Sequence, residues 1–129
     1  MDVPEDLRYT ADHEWIRVDG GRGRIGVSAF AQDQLGDIVF VELPKVGAAV
    51  TAGSAFGVVE SVKSMSDLYA PVSGTVVAIN QSLADHPEQV NQDPYGRGWM
   101  IEVEMSQPKE LDALMSSEAY AQSIQSAGH

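Results

Sequence analysis

The sequence is divided into short runs rich in β-branched residues, most of them bounded on at least one side by glycine, proline or aspartate. These runs span residues 15–18, 24–27, 37–43, 56–60, 75–79 and 99–104. Strand-length runs separated by turn-forming residues are typical of antiparallel sheets. The pattern therefore predicts a mostly β fold, a β-sandwich or small barrel with a helical C-terminal segment.

Helical signals occur at two places. Ser28 is a suitable N-cap for a short helix over residues 29–35, and Gly36 would end that helix. In the tail, apolar residues recur at helical spacing, and Ser117 is the predicted N-cap of a helix over residues 118–124. Both predictions rest on a polar cap placed immediately before a helical run.

The length of the chain fits one domain. Its 129 residues can bury roughly two-thirds of the surface of the unfolded chain, so a core forms without disulfides or metals. We expect a single domain over residues 1–129, with a core at about 7–105 and a C-terminal helical segment at about 108–124. Residues 80–98 are rich in polar residues, proline and glycine, and they predict a loop or a single helical turn.

The charge balance excludes several kinds of partner. Eight basic and 19 acidic residues give a net charge of −11. Such a chain cannot neutralise a row of nucleic-acid phosphates or bind an anionic lipid surface. The excess of acid instead favours encounters with basic protein surfaces.

Several other classes of chemistry are also unsupported. The chain has no cysteine, which excludes disulfides, thiol catalysis and thiolate metal sites. His13, His86 and His129 lie far apart, so no metal site is expected. The acidic N-terminus resembles neither a signal peptide nor a transit peptide, and no run is long enough to cross a bilayer. We therefore expect a cytoplasmic, bacterial protein.

One motif could suggest nucleotide binding. Residues 21–26 match the dinucleotide-binding pattern G-x-G-x-x-G. That motif requires a helix to open within the glycines, whereas the first predicted cap, Ser28, comes after them. A glycine-rich hairpin turn is the better interpretation.

No complete active site is present either. Glu60 and Asp67 could serve as an acid–base pair in a hydrolase, but none of the serines lies in a nucleophile elbow or next to a believable histidine base. Solvated acidic side chains are the simpler interpretation. The residues alone thus support no catalytic function, although a hydrolase that uses Glu60 and Asp67 stays an alternative.

Lys63 is the most informative side chain. It lies at the predicted tip of a hairpin whose arms are residues 56–60 and 68–79, and apolar Val62 and Met65 lie close to it. The chain has only two other lysines, Lys45 and Lys109. A lysine on a rigid tip can be acylated by an enzyme that recognises the turn, and the acyl group then extends from the domain as a swinging arm.

The residues around this lysine resemble one protein family. The run 57–71 contains Glu60-Ser61-Val62-Lys63 followed by Ser66-Asp67, and it is similar to the H protein of the glycine cleavage system. Segments 9–15, 36–44, 91–99 and 111–120 also resemble this family, so the likeness extends over nearly the whole chain.

The resemblance implies a specific fold and function. The expected fold is a barrel-sandwich hybrid of the lipoyl- and biotinyl-carrier type, with two antiparallel sheets and short helices. Lipoic acid would be attached to Lys63 through an amide, and the protein would carry the aminomethyl group of glycine without being an enzyme itself. Residues matching Glu14 and Asp67 would meet the amine of the loaded arm, and Glu60 would help the lipoate-attaching enzyme to recognise the tip.

The implied partners are three enzymes of the same system. The P-protein (glycine decarboxylase) would load the arm, the T-protein (aminomethyltransferase) would unload it, and the L-protein (dihydrolipoyl dehydrogenase) would reoxidise it. The chain itself is expected to be a monomer. A lipoyl or biotinyl carrier of another multienzyme complex, or a lipoyl relay protein, is the alternative. Biotin carriers usually have methionine on both sides of the lysine, where this chain has Val62 and Ser64.

Overall fold

Nine strands form two antiparallel sheets in the computed structural model, which describes residues 2–127. The strands are β1 (Arg8–Tyr9), β2 (Glu14–Asp19), β3 (Arg22–Val27), β4 (Ile38–Glu42), β5 (Ala49–Val50), β6 (Ala55–Ser61), β7 (Met65–Tyr69), β8 (Gly74–Ile79) and β9 (Ile101–Met105). One sheet has the order β1-β2-β3-β9-β8-β5, and the other has the order β4-β6-β7. The prediction of a mostly β fold with two antiparallel sheets is confirmed.

The two sheets enclose one apolar core. Alternate residues of the strands face inward, as Val41 and Val59 do in the three-stranded sheet and Ile25 and Val103 do in the six-stranded sheet. This alternation is the period-2 pattern of half-buried strands, and burial of the inward residues stabilises the packing of the sheets. The glycine-rich run 21–26 lies in the hairpin of β2 and β3, which confirms the hairpin interpretation.

The first helix has the predicted ends. Helix α1 (Ala29–Leu35) begins after Ser28, whose Oγ accepts a hydrogen bond of 3.1 Å from the Ala31 N–H. It ends at Gly36, which has a φ of +83° and donates its N–H to the Gln32 carbonyl. Only glycine adopts this left-handed backbone conformation without strain, which explains why the helix ends there.

The second arm of the Lys63 hairpin is shorter than predicted. We expected one arm over residues 68–79, but β7 ends at Tyr69 and β8 begins only at Gly74 in the other sheet. Pro71 lies in the break, and proline has no N–H to donate to a strand partner. The chain therefore crosses between the sheets here, and the predicted long arm is wrong.

The C-terminal part also differs from its prediction. Helix α4 (Ser117–Ala127) begins one residue early, and the Oγ of Ser116 accepts from the Ala119 N–H, so Ser116 rather than Ser117 is the cap. Adjacent serines give the sequence no basis for choosing between them. Before α4, a 3-10 helix spans Pro108–Ala113.

Residues 80–98 contain more helix than expected. Two short helices, α2 (Ser82–Asp85) and α3 (Gln89–Gln92), replace the predicted loop or single turn. Leu83 of α2 and Val90 of α3 are buried and pack against the core, so each stabilises its helix. The polar composition of the segment alone could not predict this packing.

The C-terminal segment packs through a second apolar cluster. Leu7, Tyr9, Trp15 and Tyr120 are all buried in it, and the rings of Tyr9 and Tyr120 stack with centroids 4.4 Å apart. Tyr9 and Met115 also exchange two backbone hydrogen bonds. The tail is thus attached to β1 by both packing and pairing. None of the helices within residues 2–127 has the length and apolar character needed to cross a membrane.

Candidate functional site

Lys63 lies at the tip of the hairpin formed by β6 and β7, as the sequence predicted. Glu60 and Met65 are the last cross-strand pair before the turn. Beyond that pair, the Ser61 N–H donates a hydrogen bond of 2.8 Å to the Ser64 carbonyl. The lysine side chain is exposed on this tight turn, so its amine is accessible to an enzyme.

Buried Ser61 makes the tip rigid. Its Oγ accepts hydrogen bonds from the N–H groups of Lys63 (3.3 Å) and Ser64 (3.1 Å), and it donates one to the Ser64 carbonyl (3.2 Å). The backbone of Val62 adds a bond to the Asp37 carbonyl at 3.0 Å. Sequence reasoning missed this role, although serine is a common residue for such local turns.

Replacing Ser61 with alanine is expected to loosen the tip. The Lys63 and Ser64 amides would lose their common acceptor, at a cost of about 1 kcal/mol. We expect hydrogen exchange at these two amides to accelerate by about fivefold to tenfold, measured by NMR. Ser64→Ala is the matched control, because the Ser64 side chain makes no hydrogen bond within residues 2–127. Equal exchange rates in the two variants would contradict the role given to Ser61.

The stem of the Lys63 side chain lies over Gly36. A Cβ built on Gly36 would lie 3.3 Å from the Lys63 Cε and 3.9 Å from its Nζ. The lysine therefore passes the C-terminal end of α1, where Gln34 and Leu35 line a cleft. The amine and the cleft are thus neighbours on one face of the protein.

The cleft has apolar walls and a polar rim. It lies between α1, β7 and the beginning of β2. The apolar walls come from Val27, Ala31, Leu35, Val59 and Leu68. The polar lining comes from Asp12, His13, Glu14, Gln34, Ser66 and Asp67. The structure therefore brings Glu14 and Asp67, which the resemblance singled out, to one cleft beside Lys63.

Glu14 is a buried carboxylate without a cationic partner among the described residues. It is 2% exposed, and it accepts hydrogen bonds from the Thr10 hydroxyl (2.7 Å) and the Tyr69 N–H (3.2 Å). Burial raises the pKa of Glu14 to about 7, although these hydrogen bonds oppose the shift. A carboxylate in this position is well suited to pair with a cation that enters the cleft.

A hydrogen-bond network supports the wall of the cleft next to Glu14. The Tyr120 hydroxyl lies 2.8 Å from the His13 Nδ1 and 2.6 Å from the Ser28 Oγ. His13 has a φ of +73°, a left-handed conformation in the turn that precedes Glu14, and burial lowers its pKa. Helix α4 thus supports this wall of the cleft through the Tyr120 hydroxyl. The sequence contains no signal for this contact.

Glu60 and Asp67 do not share the cleft. Glu60 pairs with Met65 and Asp67 with Val58, so these two carboxylates are diagonal neighbours on one face of the sheet. Asp67 lines the cleft but Glu60 does not. No cluster of three or more histidine or acidic residues that could hold a metal occurs within residues 2–127, and His129 lies outside them.

The fold of two antiparallel sheets presents an exposed lysine on a rigid hairpin beside an apolar cleft. This arrangement is typical of a carrier domain that holds a prosthetic group on a lysine side chain. Comparison with known proteins agrees with this class. Residues 7–127 match the family described as "Glycine cleavage H-protein". The chain therefore belongs to the glycine cleavage H-protein family.

Individual relatives cover almost the whole chain. It is 58% identical to a glycine cleavage system H protein of Carboxydothermus hydrogenoformans over 98% of this chain and 97% of the relative. It is 57% identical to a probable glycine cleavage system H protein of Haloarcula marismortui over 97% and 98% of the two chains. The crystal structure of a glycine cleavage system H protein from Mycobacterium marinum superposes with a TM-score of 0.86, at 41% identity, over 95% and 99% of the chains.

Family membership confirms the fold class and the function that the resemblance implied. The fold is a barrel-sandwich hybrid, and the protein is a lipoyl-bearing carrier of the glycine cleavage system rather than an enzyme. Its cofactor is lipoic acid, held covalently as lipoyllysine. As a carrier of this system, it interacts with the other glycine cleavage components.

Proposed function

We propose that Lys63 is the residue that carries the lipoyl group. Its exposed position on the hairpin tip supports this assignment. Lys45 follows β4 in a loop and Lys109 lies in the 3-10 helix, so neither occupies a strand hairpin. During attachment, the Lys63 Nζ attacks the acyl carbon of an activated lipoyl donor. The new C–N bond replaces the bond to the leaving group, and the amine gives up a proton.

The residues of the cleft fit a lipoyl arm that is anchored at this position. Apolar walls that include Leu35, Val59 and Leu68 suit its hydrocarbon chain. The Lys63 stem already lies over Gly36, next to the entrance that Leu35 lines. Glu14 and Asp67 supply negative charge for the amine of a carried aminomethyl group. Gln34 also lines the cleft, so this chain offers an amide there.

We infer that the carrier serves three enzymes. It would receive the aminomethyl group of glycine from the P-protein, deliver it to the T-protein and present the reduced arm to the L-protein. When bound, the lipoyl group supplies the disulfide–dithiol chemistry of this cycle. The protein contributes presentation, shielding and charge, and its net charge of −11 favours encounters with basic surfaces of these enzymes.

We also propose how the chain is organised in the cell. Residues 1–129 would form one lipoyl-carrier domain, with a core at about 7–105 and a C-terminal helical segment at about 108–124. Contacts between α4 and β1 support a single unit. The protein would act as a monomer in the cytoplasm, and its bacterial and archaeal relatives are in line with that location.

The intact mass of the protein, after expression with lipoate and a lipoate-attaching enzyme, tests the proposal most directly. We expect the mass of one lipoyl group per chain, and peptide mapping should place it on Lys63. A lipoyl group on Lys45 or Lys109 would contradict the assignment of the site. Biotin in place of lipoate would instead favour the alternative of a biotinyl carrier.

A further inference from the structure

Four large apolar side chains are exposed around Lys63. Val39 is 49% exposed, Phe40 53%, Val62 68% and Met65 69%. We call these four residues the tip patch. Among the described residues, only two other large apolar side chains are exposed, Val18 and Val46. Exposed apolar residues that gather at one place mark an interaction surface more often than scattered ones do.

A β-bulge in β4 creates half of the tip patch. Ile38 pairs with Ser61 and Phe40 with Glu60, so the register shifts between them. Ile38 and Val41 are buried, whereas the two residues between them are both exposed. A regular strand would turn one of these two residues inward. The bulge thus exposes a phenylalanine that simple alternation would bury, and bulges frequently redirect side chains near functional sites.

Strand pairing joins the bulge to the lysine hairpin. Phe40 pairs with Glu60, and Glu60 pairs with Met65, so the three residues form one cross-strand row. The Val62 N–H donates to the Asp37 carbonyl, which holds the tip against the beginning of β4. Direct cross-strand partners lie on the same face of a sheet, so Phe40 and Met65 face the same way. The tip patch and the Lys63 turn therefore form one continuous surface.

The charges around the tip patch restrict what can cover it. The exposed charged residues nearby are mostly acidic: Asp37, Glu42, Glu60 and Asp67. Residues 37–69 contain only two basic side chains, Lys45 and Lys63. In a symmetric dimer through this face, two acidic rims would face each other and repel. The surface instead fits a partner with an apolar hollow bordered by lysine or arginine.

We propose that the tip patch is the docking surface for the enzyme that acylates Lys63, an inference that rests on the proposed function of this lysine. Such an enzyme must bring its activated acyl carbon within bonding distance of the Lys63 Nζ. It therefore has to cover the residues beside the lysine, and apolar contacts at Phe40 and Met65 would hold the tip in its active site. Enzymes that act on the far end of the finished arm work a full arm's length away from these residues.

Kinetics of lipoyl transfer to exposed-residue variants test this inference. The double variant F40S/M65S is compared with the wild type and with V18S/V46S, which removes two exposed valines that lie in β2 and in the loop after β4, outside the tip patch. Each unmodified protein is incubated with a lipoate-attaching enzyme, lipoate and Mg-ATP, and the modified fraction is followed by intact mass. We expect the tip variant to lose about tenfold or more in kcat/KM, mainly through KM, and V18S/V46S to resemble the wild type.

The outcomes separate this inference from the proposed function. An F40S/M65S variant with wild-type KM would overturn the docking surface, whereas the mapping of the wild-type adduct to Lys63 would stand. A wild-type adduct on another residue would overturn both. If the wild type sediments as a dimer that F40S/M65S dissociates, the patch serves a second copy of the chain and the inference is wrong. Dihydrolipoyl dehydrogenase can run in reverse and transfer electrons from NADH to the lipoyl disulfide. Reduction of fully lipoylated F40S/M65S by this route at the wild-type rate would support a contact specific to acylation.

Discussion

Replacing Lys63 with arginine is expected to abolish lipoylation and carrier activity completely. Arginine keeps the positive charge and a long stem, but its guanidinium stays protonated and is not a nucleophile for acyl transfer. The fold should be unaffected, because Lys63 is exposed and forms no ion pair with another described residue. Intact mass would report the missing lipoyl group, and glycine cleavage by the reconstituted system would fall to its background without a carrier.

The other two lysines provide matched controls for this experiment. Lys45→Arg and Lys109→Arg change the same chemistry at exposed positions away from the hairpin. Both variants should be lipoylated and active at wild-type levels, and thermal unfolding should be similar for all three. Glycine cleavage that persists in Lys63→Arg would contradict the carrier function of this residue.

Replacing Glu14 with glutamine is expected to change how stability depends on pH. Burial raises the pKa of Glu14 from 4.5 to about 7 in the folded chain. As the pH rises through this window, the unfolded chain has already released the proton that the folded chain still holds, so rising pH favours unfolding. The free energy of unfolding of the wild type therefore falls by about 3 kcal/mol by the end of the window. Glutamine has no proton to release and avoids this loss.

Urea unfolding of the unlipoylated protein measures this difference. Between about pH 4 and about pH 8, the free energy of unfolding of Glu14→Gln should rise relative to the wild type by about 3 kcal/mol. Glutamine can still accept from the Tyr69 N–H, and loss of the Thr10 contact would lower stability equally at both pH values, so the difference between them remains. Asp67→Asn is the control, because it neutralises an exposed carboxylate of the same cleft. Parallel pH profiles for Glu14→Gln and the wild type would rule out a costly buried charge.

This cost has a functional consequence for the cleft. Because its pKa is about 7, Glu14 is about half ionised at neutral pH, and its carboxylate has no cationic partner among the described residues until a cation enters the cleft. The amine of a carried aminomethyl group would supply that cation and remove part of the penalty. The site would therefore bind the loaded arm more tightly than the empty one, which suits a carrier that must shield its cargo between enzymes.

Local signals in the sequence were sufficient for several elements. Ser28 and Gly36 predicted both ends of α1, because capping depends on a side chain and a backbone conformation within the helix itself. The position of Lys63 between two strand-like runs predicted its place on a hairpin tip. The resemblance to the H protein family rested on residues that lie next to one another in the chain, and it identified the cofactor and the carrier function.

Other features were decided by contacts between distant residues. Alternation in β4 predicts a buried Phe40, but the bulge opposite β6 exposes it, and pairing of this kind has no signature in a single strand. The Tyr120 hydroxyl reaches His13 from the other end of the chain, and burial of Glu14 depends on the position of β7. The sequence by itself determined which residues can carry chemistry and where the chain turns. Only the tertiary structure decided which of them lie together and how far each is removed from water, because burial and pKa depend on neighbours that are distant along the chain.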